Sequence, residues 1–236
     1  MGRLVLIRHA QASFLAADYD QLSELGREQA RRLGEYWARG NVAFDRLWTG
    51  PRARHKDTAR ITLQWYRRDL PNPVEMDEFD EYDGESVLKR AVPQLAEQDL
   101  SVRQLHEAFL ASADAPGRRE AFQRLFECVI SKWVEGEIVI PAVESWSEFC
   151  SRVNEGISKV LAQAESGEQI GVFSSGGPVA VAMQRALNLS ARDTLRTSWM
   201  SRNCSYSEFL FSADRFTLSA FNAFPHLDSA QLLTYR

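Results

Sequence analysis

Lysine is nearly missing from this chain. Four lysines (Lys56, Lys89, Lys132, Lys159) stand against 24 arginines in 236 residues. Cysteine is as sparse: Cys128, Cys150 and Cys204 lie far apart and form no Cys-x-x-Cys pair. That spacing argues against a disulfide scaffold and fits reduced, packed thiols, so cytoplasm is the expected compartment. Long apolar runs are absent. No stretch approaches the ~20 apolar residues that a bilayer span needs, and the run in MGRLVLIRH is too short for a signal-peptide core. No membrane partner is expected. Positive charge is not in excess either. The formal net charge is -4, whereas a dedicated nucleic-acid binder is usually basic, so no nucleic-acid partner is expected. A local basic pocket remains open, and the planar fork of arginine suits phosphate and carboxylate.

What is present begins with Leu4-Val5-Leu6-Ile7-Arg8-His9. Four apolar residues read as a strand buried on both faces, and it runs straight into a cation and an imidazole. Ser23 caps an expected helix with Leu25, Ala30, Leu33 and Trp37 at helical spacing, stopped by Gly40-Asn41. Phe44–Thr49 reads as a second strand and Arg52–Arg68 as a second helix. Val74–Phe79 reads as a third extended piece. From about Glu85 the strand pattern gives way to successive helices, with Ala115-Pro116-Gly117 between two of them. Trp146–Ala164 reads as a long helix, Ile170–Phe173 as a fourth strand and Val179–Leu187 as a helix. Ser205–Phe211 and Phe216–Phe221 read as an antiparallel terminal pair. Strands alternating with helices predict a three-layer α/β/α sandwich with a mostly parallel central sheet. A helical cap insertion at approximately 85–143 is expected within one domain spanning 1–236. Its apolar helix faces would cover the sheet or form a homodimer interface.

In open α/β sheets ligands bind beyond the carboxyl ends of the strands. That rule collects Arg8-His9, then Arg52 and Arg54, then Asp80-Glu81, then Ser174-Ser175-Gly176-Gly177. A helix start with free amides attracts anions, and arginine forks grip phosphate. A histidine between them can attack phosphorus. A carboxyl group can protonate the leaving oxygen. Other readings fit less well. A P-loop needs lysine after its glycines, where Pro178 stands. A Gly-x-Ser-x-Gly elbow fails because Phe173 occupies its first position. The acidic stretch Met76–Asp83 has no histidine at ligand spacing, so no metal is expected, and most of its carboxylates read as solvated.

The ordered set resembles the histidine phosphatase superfamily, the phosphoglycerate-mutase-like proteins. Leu-Ile-Arg8-His9-Ala10-Gln11 resembles the Arg-His-Gly signature. Thr49-Gly50-Pro51-Arg52-Ala53-Arg54-His55-Lys56-Asp57-Thr58-Ala59 is similar to the Ser-Pro-Leu-x-Arg-Ala-x-Gln-Thr-Ala segment, with Arg54 on its arginine. Phe79-Asp80-Glu81-Tyr82-Asp83-Gly84 is similar to Leu-x-Glu-x-x-x-Gly, with Glu81 on the catalytic acid. Asn203–Glu208, Asn222 and His226-Leu227 resemble the closing strands, so the likeness spans nearly the whole chain.

The resemblance implies a phosphomonoester hydrolase that uses no cofactor. His9 would attack the phosphoryl group and carry it as phosphohistidine. Arg8 and Arg54 would bind its oxygens, with Ser175 and Gly176 at the helix start and Arg52 as a further contact. Glu81 would protonate the leaving alcohol. Gln11, Ser13, Phe14 and His55 would line the substrate pocket. The substrate would be a phosphorylated small molecule or a phosphoprotein. Two positions depart from the pattern. Ala10 replaces the signature glycine, and Ser175 stands where the Ser-His-Gly-Gly motif has its second histidine. Serine can donate one hydrogen bond but brings no charge. Losing one transition-state donor typically costs about 2.7–4 kcal/mol, or roughly 10²–10³ in rate. The departure therefore raises a weak enzyme, or a pseudo-phosphatase that binds without turnover, as the alternative; a phosphomutase is a further one. His55, and on weaker grounds His226, are the candidates to substitute.

Overall fold

The computed structural model describes residues 1–13, 20–66, 70–112 and 117–235. The chain divides into two compact units, Met1–Glu81 with Arg152–Arg236, and Tyr82–Ser151. The first unit is built on a six-stranded sheet in the order β3-β2-β4-β1-β5-β6. Its strands are β1 (Gly2–Arg8), β2 (Arg46–Thr49), β3 (Val74–Glu75), β4 (Gln169–Ser174), β5 (Tyr206–Ser212) and β6 (Arg215–Ala223). β3, β2, β4 and β1 run parallel, and β5 and β6 close the sheet antiparallel. β1 lies between β4 and β5, with Arg8 level with Ser174 and Ile7 level with both Phe173 and Tyr206.

Alternation along β1 sends side chains to opposite faces. Val5 and Ile7 join a core with Ala30, Leu33 and Trp37 of α1 (Glu24–Arg39) and Ala59, Ile61 and Tyr66 of α2 (Ala53–Tyr66). α1 approaches α2 so closely that a Cβ on Gly34 would lie 2.2 Å from the Thr62 carbonyl oxygen. α7 (Gly176–Leu187) and α8 (Ala191–Met200) pack together, and α7 reaches β1 and β6. The result is the expected three-layer α/β/α arrangement. Ser23 caps α1, its Oγ accepting from the Gly26 amide at 3.0 Å.

Three expectations need correction. The third extended piece is shorter: Val74–Glu75 is strand, and Asp77–Phe79 tightens into a 3₁₀ turn. A short edge strand leaves the acidic residues after it free to turn toward the site. The glycines after Ser175 lie inside α7, which therefore starts at Gly176 rather than Val179. α8 was not anticipated, although Ser190 caps it by accepting from the Asp193 amide. The expected end of α2 and the Ala115-Pro116 break fall partly outside the described residues.

The second unit holds α3 (Gly84–Gln98), α4 (Leu100–Ala111), α5 (Arg118–Val134) and the start of α6 (Trp146–Ala162). Its core is aromatic. Tyr82 lies 5.3 Å from Trp133 and 5.5 Å from Phe149 between ring centres, and Trp146 closes the cluster. Among the described residues no helix is long and apolar enough to cross a membrane.

Candidate active site

His9 is the first residue past β1, and its amide donates to the Ser174 carbonyl at 2.7 Å, extending the β1–β4 ladder by one bond. The imidazole Nδ1 lies 2.8 Å from the Ala10 carbonyl oxygen. A carbonyl only accepts, so Nδ1 carries the ring proton and Nε2 keeps its lone pair. Burial, then the Arg54 and Arg8 guanidinium groups, then His55, hold this imidazole well below its usual pKa. The ring is therefore neutral and nucleophilic at neutral pH. The loop behind it is fixed as well, because the Ala10 amide donates to Thr58 Oγ1 at 3.0 Å.

Arg8 and Arg54 are both buried. Arg8 donates through Nη1 to the Ser201 carbonyl and runs beside the α7 start, where a Cβ on Gly176 would lie 3.7 Å from its Nε. Arg54 Nη1 donates to Asp20 Oδ1 at 2.9 Å, and the other Asp20 oxygen takes the Ala53 amide at 2.7 Å. One carboxylate thus closes the α2 start and aims the guanidinium.

Glu81 reaches α7 from the other side, its Oε2 accepting from the Gly177 amide at 3.1 Å. Three cations hold its segment. Arg52 pairs with Asp80 and donates to the Glu81 carbonyl at 2.9 Å. Arg152 donates to the carbonyls of Asp77 and Asp80 at 3.0 and 3.2 Å, and Lys159 pairs with Glu78 at 2.6 Å. The carboxylates of Glu78 and Asp80 are therefore paired with lysine and arginine.

Ser175 and His55 are fully buried and meet at 2.6 Å, Oγ to Nε2. The His55 ring centre is 5.8 Å from that of His9. His226, the other candidate substitute, instead stacks on Tyr206 and lies beside Tyr36. Gln11 accepts from Ser23 Oγ at 2.8 Å, and its amide donates to buried Gln29 at 2.9 Å. The Ser13 amide donates to the Gln21 carbonyl at 2.8 Å. Phe14 lies outside the described residues. Sequence reasoning did not find Asp20, Thr58, Gln29 or Arg152. Asp20 caps a helix 33 residues away in sequence, a distance no local pattern spans. Thr58 lay within the quoted segment.

The model of the histidine phosphatase superfamily (branch 1) matches residues 4–131 and 104–223. The chain belongs to the histidine phosphatase superfamily. Solved structures agree on the fold. The alpha-ribazole phosphatase from Shigella flexneri is 19% identical with a TM-score of 0.63, covering 94% of this chain and 96% of that one. Phosphoglycerate mutase from Bacillus anthracis str. Sterne is 17% identical with a TM-score of 0.65, covering 95% and 94%. Phosphoserine phosphatase from Entamoeba histolytica, in complex with 3-phosphoglyceric acid, is 18% identical with a TM-score of 0.61, covering 96% and 100%. No curated protein matches the chain. As a histidine phosphatase superfamily member, it carries a buried Ser175–His55 pair beside His9.

Proposed function

We propose that this protein is a metal-independent phosphomonoester hydrolase of the phosphohistidine type. His9 Nε2 attacks phosphorus as the bond to the leaving alcohol oxygen breaks, and Glu81 gives that oxygen a proton. Water then attacks the phosphorus of phospho-His9. Glu81 takes its proton, the P–N bond breaks and phosphate leaves. Arg8, Arg54 and the α7 start meet the developing negative charge, which is where preorganised donors count most. The observation that carries this reading is the tautomer of His9: its lone pair is free, its ring is neutral, and two guanidinium groups flank it. The substrate is a phosphorylated small molecule or a phosphoprotein, and the free cysteines are in keeping with a cytoplasmic setting.

A second reading, binding without turnover, draws on Ser175, which brings no charge of its own. The same substitution weighs against a phosphomutase, which must hold its phosphorylated intermediate through release. Hydrolysis of an aryl phosphate, with EDTA present, separates these readings. Turnover that survives EDTA and falls to background in His9→Ala supports the phosphohistidine enzyme. Turnover unchanged in His9→Ala ends that mechanism, and phosphate binding without turnover selects the second reading.

A further inference from the structure

His55 is a fully buried imidazole that the steps above do not use. Space has been made for it. A Cβ on Gly50 would lie 2.5 Å from His55 Nδ1, closer than real contacts allow, so the ring occupies volume that another residue at 50 would fill. Its Nδ1 is buried against the Gly50 backbone and makes no hydrogen bond of normal geometry among the described residues, while that backbone favours a proton on the ring. In the tautomer protonated at Nδ1, which the relay below requires, Nε2 accepts from the Ser175 hydroxyl across 2.6 Å. Ser175 then offers the site lone pairs, which repel a phosphoryl oxygen.

We propose that His55 and Ser175 form a reversible proton relay that phosphoryl binding turns around. The proposal rests on the phosphate-site reading above and makes His55 a positioning residue acting through Ser175. In the empty site the hydroxyl proton points at His55 Nε2. When a dianion occupies the site, one solvent proton adds to Nε2. His55 becomes imidazolium, its Nε2–H donates to Ser175 Oγ, and the Ser175 hydroxyl rotates to donate to a phosphoryl oxygen. No bond in the ligand is made or broken, and the complex gains one proton. The relay thus supplies, through a hydroxyl, the charge that serine alone lacks.

The surroundings set the sign. Arg54 and Lys56 lie on the same helix as His55, Arg52 stands just before it, and His9 faces it from the end of β1. Burial comes first, and these cations add to it, in keeping His55 neutral when the site is empty. A dianion screens the cations and reverses their effect, so binding and protonation favour each other.

The test uses the full chain, nitrogen-15-labelled, titrated with inorganic phosphate at pH 8. With only four histidines, each ring nitrogen resonance can be assigned. His55 Nε2 should move from the unprotonated to the protonated range. Calorimetry in buffers of different ionisation heat should read uptake of about one proton per phosphate bound. His55→Asn should still bind phosphate but lose the uptake and about tenfold in affinity, the size of a typical coupling. Ser175→Ala keeps the imidazole, and there Nε2 should stay unprotonated with phosphate bound. Phosphate binding with Nε2 unmoved, or uptake that survives in His55→Asn, overturns the relay and leaves the phosphate site standing. Failure of the native protein to bind phosphate overturns the phosphate-site reading and the relay with it.

Discussion

Helices α2 and α7 start at the carboxyl ends of neighbouring strands, β2 and β4, and their first turns are finished differently. At α2 the chain supplies its own anion. Asp20 takes two backbone amides and the Arg54 guanidinium. At α7 the N-cap residue, Ser175, makes no capping bond with its side chain, which is turned to His55 instead. Glu81 takes the Gly177 amide. Each helix start carries the same partial positive charge. Asp20 largely consumes it at α2, whereas at α7 glycines and a redirected hydroxyl leave it to the ligand proposed above. The dipole does not decide function. The side chain that arrives at it does.

Converting one start into the other should have the largest effect. Ser175→Asp places a carboxylate at α7 as Asp20 does at α2. Like charges brought together cost several kcal/mol, so phosphate affinity and turnover should both fall by at least about 10³-fold. Affinity within tenfold of native would mean that α7 is not the anion-binding start.

A buried imidazole without a hydroxyl partner supplies the next contrast. Burial lowers His226 to about 4. The unfolded chain binds a proton at this residue below about pH 6.5, and the folded one does so only below about 4. Stability should therefore be full above pH 6.5 and fall by about 3 kcal/mol as pH drops to 4. His9 and His55, also lowered, add loss in the same direction. Chemical denaturation across that range should show less slope in His226→Phe, which keeps the stacking on Tyr206. An unchanged slope would assign the acid loss to other groups.

Gly50→Ala tests the space beneath His55. The added Cβ meets Nδ1 at 2.5 Å and the Phe79 carbonyl oxygen at 2.6 Å. Overpacking of this kind costs about 1–3 kcal/mol, and displacement of His55 should weaken phosphate binding as well. The smallest effect belongs to Asp20→Ala, which removes an N-cap worth about 1 kcal/mol. For a chain of this size the melting temperature should drop by about 2–4 °C. A larger drop would show that Arg54 depends on Asp20 more than the helix does.

Much of this arrangement was legible in the sequence. Leu4–Ile7 announces β1 through its unbroken apolar run, the strand-end rule collects Arg8-His9, Arg52 and Arg54, Asp80-Glu81 and Ser174-Ser175-Gly176-Gly177, and only the family resemblance singles out Glu81 from its acidic stretch. Those residues follow their strands directly, so local pattern finds them. The route of Glu81 to α7 was less visible, since it depends on Arg52, Arg152 and Lys159 gripping a segment distant from most of them in sequence. The pairing of His55 with Ser175 spans 120 positions and is set by how α2 leans on β4. The α8 helix was hidden for a different reason: its first turn is polar, and its buried residues, Thr194, Leu195 and Ser198, include only one large apolar side chain.

Gln29 joins two distant stretches of backbone. Its carbonyl takes the Gln11 amide, two residues past His9, and its amide nitrogen donates to the Leu232 carbonyl at 2.8 Å and Thr234 Oγ1 at 3.0 Å. Thr234 in turn accepts from the Asn203 amide and donates to the Asn203 side chain. The neighbouring Cys204 amide donates to the His9 carbonyl at 3.1 Å. Residues 232–234 are thus a wedge seated behind His9. A carboxypeptidase that trimmed the chain past Leu232 would leave all six strands whole and a buried amide without its acceptors. Proteolysis at that end would be felt first in the backbone around His9 and only later as unfolding.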